Sequence, residues 1–490
     1  MSGKITALLL ALMLTAGILV SCGGSADTAE TTTAAANEIS DTAETTTDQL
    51  TDSLPERDFG GKDFIFVTRD TASSWLNPII AAESLNGEVL NDAVFTRNRS
   101  VEERFNVSII QNSKPSGDRD GLTRNAILAG DSGLFDVVLI TDRTALVFAQ
   151  EGLLVPWSEL TYIDLDMPWW SQTLNEQLSI AGNMYFAYGD FNLIPYDYTH
   201  MLIYNKQMGD NLGLELPYSL VLDNKWTYDV YAEYAVAALA DLNGDGKMDS
   251  SDSFGLLSQA KHVLPCFWIS ADVLSVTKDA DDLPVFDLSG DEQFFNVIEK
   301  IFIITYDNGT WNADKGTNNT STDNENKFIA GQGLFLDSTF NNVKRLRNMD
   351  ADFSILPYPM WDEAQDGCRS RVEGGDLPMV TVINDDLDLT AYMLEALSCE
   401  SWKTTIPAYY EIALKGKNTR DAESEEMMDI IYNNRVYDLG DTYWCNQLRD
   451  GIFLQMFQSN DRDLASKIAG VQNTMDNEIK KTVDAFASLG

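Results

Sequence analysis

Between residues 241 and 252 the chain reads Asp241, Leu242, Asn243, Gly244, Asp245, Gly246, Lys247, Met248, Asp249, Ser250, Ser251, Asp252. Oxygen-bearing side chains stand at the first, third, fifth, ninth and twelfth places, with a glycine at the sixth. This is the spacing of a calcium loop: a hard cation takes several converging oxygens, and alternate carboxylates in a tight turn supply them. The seventh place contributes its backbone carbonyl, so Lys247 is compatible there. Asp252 replaces the usual Glu and shortens one ligand arm. The expected ligands of a structural Ca2+ are Asp241, Asn243, Asp245, Lys247, Asp249 and Asp252. The alternative is an acidic surface turn; against it, carboxylates packed this closely repel one another without a cation.

Other chemistry is sparse. The chain holds 2 His, His200 and His262, which read as packing or surface residues rather than general bases. No GxSxG, HExxH or P-loop pattern occurs. The 5 Cys, at 22, 266, 368, 399 and 445, form no CxxC and no zinc spacing, so buried or free thiols are expected of the last four. No organic cofactor is implied.

The elements that position these residues follow from periodicity. Asp63 to Val67 alternates as a strand, and Val94, Val101 and Phe105 are spaced for a helix over 88–105 that stops at Asn106. Val107 to Ile110 reads as a second strand, 121–129 as a helix and Phe135 to Ile140 as a third strand. Strand and helix alternating at these intervals predict an α/β fold with a parallel-rich sheet, whose ligands sit beyond the strands' carboxyl ends. Met201 to Tyr204 is a further strand. Helices are expected from Thr227 to about Leu242 and over 294–302. Leu464, Ile468, Val471, Met475, Ile479, Val483 and Phe486 step by three or four, a core-facing helical stripe.

The 490 residues carry 76 Asp+Glu against 34 Lys+Arg, a net charge of −42. That argues against nucleic acid as a partner and against adsorption to anionic lipid. Lys4, the apolar run from Ile5 to Val20 and then Ser21-Cys22 read as a secretory signal over 1–21. Residues 22–58 repeat Asp-Thr-Ala-Glu-Thr-Thr-Thr at 27–33 and 41–47 and offer little to bury, so they read as a solvated tether. As a coil its 23–58 stretch would reach roughly 30–36 Å.

Cys22 after Leu19-Val20-Ser21 resembles the bacterial lipoprotein box, which implies lipidation of Cys22 and an extracytoplasmic, membrane-anchored location. Along the body, Asn86 to Asn106, Phe135 to Val138 with Ala149 to Leu154, Leu202 to Lys206 with Trp226-Thr227, Phe328 to Phe335 and Ile406 to Lys417 together resemble the solute-binding lipoproteins of bacterial ABC importers, in the carbohydrate-type group related to maltose-binding proteins. The resemblance covers most of 59–490. It implies a two-lobed periplasmic-binding-protein-like fold (type II) with hinge crossovers, a carbohydrate in the interlobe cleft, an ABC permease as partner, and a monomer. The lobes would divide as 59–196 and 335–375 for the first, and 197–334 and 376–490 for the second. The crossings would fall near Tyr196–His200, Gly333–Asp337 and Glu373–Leu377.

Sugars stack on aromatic rings and offer hydroxyls to carboxylates, amides and guanidinium groups. Asp142 and Arg143 follow the third strand, where the family often places a hydroxyl-binding Asp. Tyr198 lies at the first crossing, and Asp337 follows a returning strand. Trp75 follows the first strand, and Trp311 sits in a polar Gly/Asn-rich loop, each with core packing as its alternative. Tyr409 and Tyr410 read as interlobe packing. Two other classes stay open: a secreted calcium-dependent glycoside hydrolase, which needs a carboxylate pair across the scissile bond, and a carbohydrate-adhesion or dockerin-like protein, which would carry a second calcium loop.

Overall fold

A computed structural model describes residues 50–70, 78–311, 320–343, 345, 346, 349, 351–414 and 422–489. The signal segment, Cys22, the tether up to residue 49 and Trp75 lie outside the described residues.

Helix α1 (Val89–Phe105) lies between strands β1 (Lys62–Arg69) and β2 (Val107–Lys114), which pair in parallel from Lys62↔Val107 to Arg69↔Lys114. Asn106 ends α1 as expected: its φ of 52° is left-handed, and its N–H returns to the Glu102 carbonyl. Helix α2 (Ser116–Ala129) then leads to β3 (Val137–Thr141), parallel to β1, and α3 (Asp142–Gln150) starts directly at its carboxyl end. The alternation of a strand decides which way its side chains point. Val137 and Leu139 enter one core with Phe64 and Phe66, while Val138 and Ile140 enter another with Val67, Ala145 and Leu146. Both faces of this sheet are therefore covered, as a parallel sheet requires.

The second sheet is built around β4 (His200–Asn205), all of whose residues are buried. It is followed by α4 (Tyr228–Ala237), β5 (Phe254–Leu257), α5 (Ala260–Ser270), α6 (Glu292–Phe302), β6 (Gly333–Thr339) and β7 (Phe353–Leu356). Its strand order is β5-β6-β4-β7; β4 runs antiparallel to both neighbours, and β5 is parallel to β6. The first sheet gains a late strand, β8 (Asp376–Met379), antiparallel to β3. Helices α7 (Leu387–Glu400) and α8 (Leu464–Leu489) follow. In α8 the predicted stripe is inward: Leu464, Ile468, Met475, Ile479 and Phe486 are buried.

Several expectations need correction. Residues 335–375 were assigned to the first lobe and 376–490 to the second, but β6 and β7 pair with β4 in the second sheet, and β8 pairs with β3 in the first. Gly333–Asp337 is thus the interior of a second-sheet strand and not a crossing. The chain enters the second sheet at His200, leaves it after Leu356 and returns at Asp376. Helix α4 ends at Ala237 instead of near Leu242, because Ala240 and Ser253 pair antiparallel and close the base of the 241–252 loop. The last residues of the expected tether, 50–58, are packed down. Arg104 donates to both Asp52 oxygens at 2.7 Å, Leu54 is buried, and Arg57 meets Asp388 at 2.8 Å.

Cys266, Cys368, Cys399 and Cys445 are buried free thiols. Burial pushes Cys368 and Cys445 up to about 12 and Cys399 to about 11. Among the described residues no helix is long and apolar enough to cross a membrane.

Candidate ligand-binding cleft

Asp142 and Arg143 begin α3 where β3 ends, and Lys261 begins α5 just past the end of β5. These two strand–helix turns, one from each sheet, face a cleft of about 240 Å³. Glu373 and Gly375 of the returning crossing line it too, as do Asp441, Cys445, Arg449 and Asp450 of the C-terminal region. A larger hollow of about 510 Å³ is walled by α1, β2 and residues 78–83, and takes nothing from the second sheet. The smaller cleft, unlike the larger, sits at the carboxyl ends of strands from both sheets, the place where α/β proteins bind ligands.

The charges in this cleft are arranged and mostly paired. The Asp142 carboxylate is buried and accepts from the Arg143 backbone N–H at 2.7 Å and from the Tyr437 hydroxyl at 3.4 Å. Burial lifts its pKa to about 6 against the lowering effect of Arg143 and Arg449. Its own N–H donates to the Gly375 carbonyl at 2.9 Å, which ties β3's end to the crossing. Arg143 reaches Asn446 at 3.1 Å and stays partly exposed. Lys261 pairs with Glu373 at 3.1 Å. Arg449 meets Asp441 at 3.3 Å and Asp450 at 2.9 Å, while Arg371 clamps Asp441 from beneath at 2.6 Å. The result is a small polar cleft with carboxylates and cations side by side, suited to a neutral or zwitterionic ligand with several hydroxyls.

No family model and no curated protein matches the chain. Solved structures do. An ABC substrate-binding protein of Listeria monocytogenes in complex with cycloalternan superposes with a TM-score of 0.54 at 14% identity, over 85% of this chain and 99% of that one. The UgpB protein of Mycobacterium tuberculosis in complex with glycerophosphocholine gives 0.54 at 15%, over 87% and 98%. A family 1 extracellular solute-binding protein of Bifidobacterium longum subsp. infantis gives 0.54 at 14%, over 85% and 100%. The chain has the fold of family 1 solute-binding proteins. In this two-lobed fold the cleft described above joins the lobes.

Of the ligand candidates among the described residues, only Asp142 and Arg143 line the cleft. Tyr198 is buried in the first crossing: its hydroxyl accepts from Asn341 at 3.3 Å and its carbonyl from the Glu373 N–H at 3.0 Å. Trp311 is core: it is buried, its indole N–H donates to the Ser258 carbonyl at 3.0 Å, and its ring lies 4.6 Å from that of Phe457. Asp337 is buried beneath the cleft, accepting from Tyr358 at 2.7 Å and Ser258 at 3.0 Å, with His200 and His262 at 2.8 and 2.9 Å. Tyr409 is buried and donates to Asp197 at 2.7 Å. The residues missed, Lys261, Glu373, Asp441 and Arg449, are charged residues that read as ordinary solvated surface. Lys261 and Glu373 are 112 residues apart, so no local spacing reveals them.

The 241–252 loop folds around its own backbone. Asp241 accepts from the N–H groups of Gly244 and Gly246 at 2.6 and 2.8 Å, and Asp252 from those of Leu242 and Asp249 at 2.9 and 2.8 Å. Asn243, Asp245 and Asp249 each accept from the residue two places on, at 2.9 Å. Gly244 and Gly246 take φ of 75° and 77°, open to glycine at little cost.

Proposed function

We propose that the protein is the substrate-binding component of an ABC importer. In this reading it captures a carbohydrate in the interlobe cleft, closes around it by a hinge motion, and delivers it to the membrane permease. Lipidation of Cys22 would hold it at the outer face of the membrane. The 241–252 loop would bind a structural Ca2+, which outside the cell can fill even a weak site. The observation that carries the reading is that the β3–α3 turn, with Asp142 and Arg143, and the β5–α5 turn, with Lys261, face one cleft from opposite lobes. A carboxylate and two cations there can bond several hydroxyls at once, and a ligand touching both turns favours the closed form.

The test is a thermal-shift and calorimetric screen of mono- and oligosaccharides, with a phosphodiester and peptides beside them, in calcium and in chelator. A ligand that binds the native state raises the melting temperature with its concentration. At least one saccharide should do so, and Asp142→Ala should weaken it by an order of magnitude. If only phosphodiesters or peptides shift the protein, the carbohydrate assignment fails. Release of reducing ends from any saccharide would replace the transport reading with a hydrolase.

A further inference from the structure

The chain holds 2 His, and the fold brings both to one place. His200 opens β4 and His262 stands in the first turn of α5; both are buried, and their rings meet edge to face with centroids 4.7 Å apart. One carboxylate orients both rings. Asp337 Oδ1 lies 2.8 Å from His200 Nδ1, and Oδ2 lies 2.9 Å from His262 Nδ1. A carboxylate only accepts, so both Nδ1 atoms carry the proton. Without a metal, His262 Nε2 shares a proton with Glu373 Oε1 at 3.2 Å, which a bound cation would displace; in the neutral rings both Nε2 atoms carry lone pairs. Arg371 supports this for His200: its Nη1 is 2.9 Å from Nε2, and a guanidinium can only donate.

The two Nε2 atoms point at the same second carboxylate. His200 Nε2 is 3.5 Å from Glu373 Oε2, and His262 Nε2 is 3.2 Å from Glu373 Oε1. The ligand atoms of this trio all lie within 4.8 Å of one another. Nitrogen and oxygen atoms bound to one tetrahedral zinc at about 2.0–2.1 Å stand about 3.3 Å apart. The two His–Glu separations, each to a different Glu373 oxygen, lie on either side of that spacing. We propose that His200, His262 and Glu373 form a binding site for one divalent transition-metal ion, with zinc the ion whose chemistry the donors fit. Two imidazoles and a carboxylate are a borderline-soft donor set that suits zinc and its neighbours over calcium.

The surroundings have the form of a built metal site. The Nδ1–H groups of both ligating rings are held by a carboxylate, the arrangement that fixes tautomer and raises ligand basicity. Asp337 is itself held by Tyr358 and Ser258 at 2.7 and 3.0 Å. Arg371 keeps a bidentate partner in Asp441, at 2.6 and 3.2 Å, so its guanidinium remains paired when the metal takes the His200 lone pair. Glu373 also lines the ligand cleft, where its Oε1 meets Lys261 at 3.1 Å. The site joins the second sheet to the returning crossing.

The test uses the full chain without a polyhistidine tag, stripped by chelator and titrated with Co2+ and then Zn2+. The expected result is visible d–d absorption saturating at one equivalent of Co2+, displaced by Zn2+ and lost in His262→Gln. Asp337→Asn should weaken binding about 10–100-fold, the usual cost of losing an orienting partner. A readout in the unaltered protein guards against variants that fail to fold: the imidazole 15N resonances of the two histidines, where Zn2+ should move both Nε2 signals and leave Nδ1 protonated. No Co2+ absorption, absorption unchanged in a folded His262→Gln protein, or Nε2 signals indifferent to Zn2+ would each overturn the proposal.

Discussion

Gly374 passes so close to Asp142 that no side chain fits between them: its φ is +77°, and a Cβ built on it would overlap Asp142 Oδ2. The returning crossing is thus pressed against the strand end that faces the cleft. Gly374→Ala should cost about 1–3 kcal/mol, from a disfavoured backbone and a displaced carboxylate. It should weaken ligand binding as well. Urea titration and calorimetry measure the two, and an alanine variant equal to the parent in both would contradict the packing described.

Asp142 should make ligand binding depend on pH. Its carboxyl, lifted to about 6 by burial, is ionised at neutral pH and mostly protonated at pH 5. A carboxylate that accepts ligand hydroxyls loses an acceptor on protonation, so affinity should drop roughly tenfold from pH 7.5 to pH 5. Asp142→Asn should bind weakly and show a flat profile. A parent protein binding equally at both pH values would rule this carboxylate out as an acceptor.

Glu395 bears on stability instead. It is buried between the indole N–H groups of Trp169 and Trp170, at 3.0 and 2.8 Å, and burial raises its pKa to about 7. The unfolded value is about 4.3. Between these two values the native state holds a proton that the unfolded chain releases. Stability from this group therefore falls as pH rises from about 4 to about 7, and is level above that. The loss is up to about 4 kcal/mol at 1.36 kcal/mol per pKa unit. Urea midpoints of the parent should fall more between pH 5 and pH 8 than those of Glu395→Gln; parallel pH curves would refute it.

Trp311 separates packing from binding. Its ring fills the space between Tyr306 and Phe457, so Trp311→Ala should cost about 3–5 kcal/mol while the folded fraction binds ligand normally. A stable variant with selectively reduced affinity would return this residue to the site.

The 241–252 loop should respond to calcium. Millimolar Ca2+ is expected to raise the melting temperature with a midpoint of about 10⁻⁴–10⁻³ M, and Asp245→Ala to abolish the rise. Chelation without effect on melting temperature in the parent would leave the loop an acidic turn.

What the sequence carries is local. The alternation of Phe64 and Phe66, the apolar block at 137–140 and the stripe from Leu464 to Phe486 each state their own conformation, because burial of one face sets a period. Asp142 came from the resemblance, which puts a hydroxyl-binding Asp past the third strand, and the structure places it on the cleft. Partner choice is a different matter. Nothing local puts β4 between β6 and β7, because a strand's pattern does not name its neighbour. The same holds for the site: Glu373 meets Lys261 and both histidines only because two crossings come together. Trp311 was misplaced because the sequence that follows it, 312–319, is polar, while its own ring turns inward.

The four buried thiols carry one last consequence. With pKa values near 11–12, Cys368, Cys399 and Cys445 hold no more than about one thiolate in ten thousand molecules at pH 7, and the thiolate is the form that oxidants and disulfides attack. The fold owes its cohesion to apolar packing and buried ion pairs and to no covalent clamp among these residues. Oxidants and disulfides in the surrounding medium therefore find little thiolate to act on at these three positions.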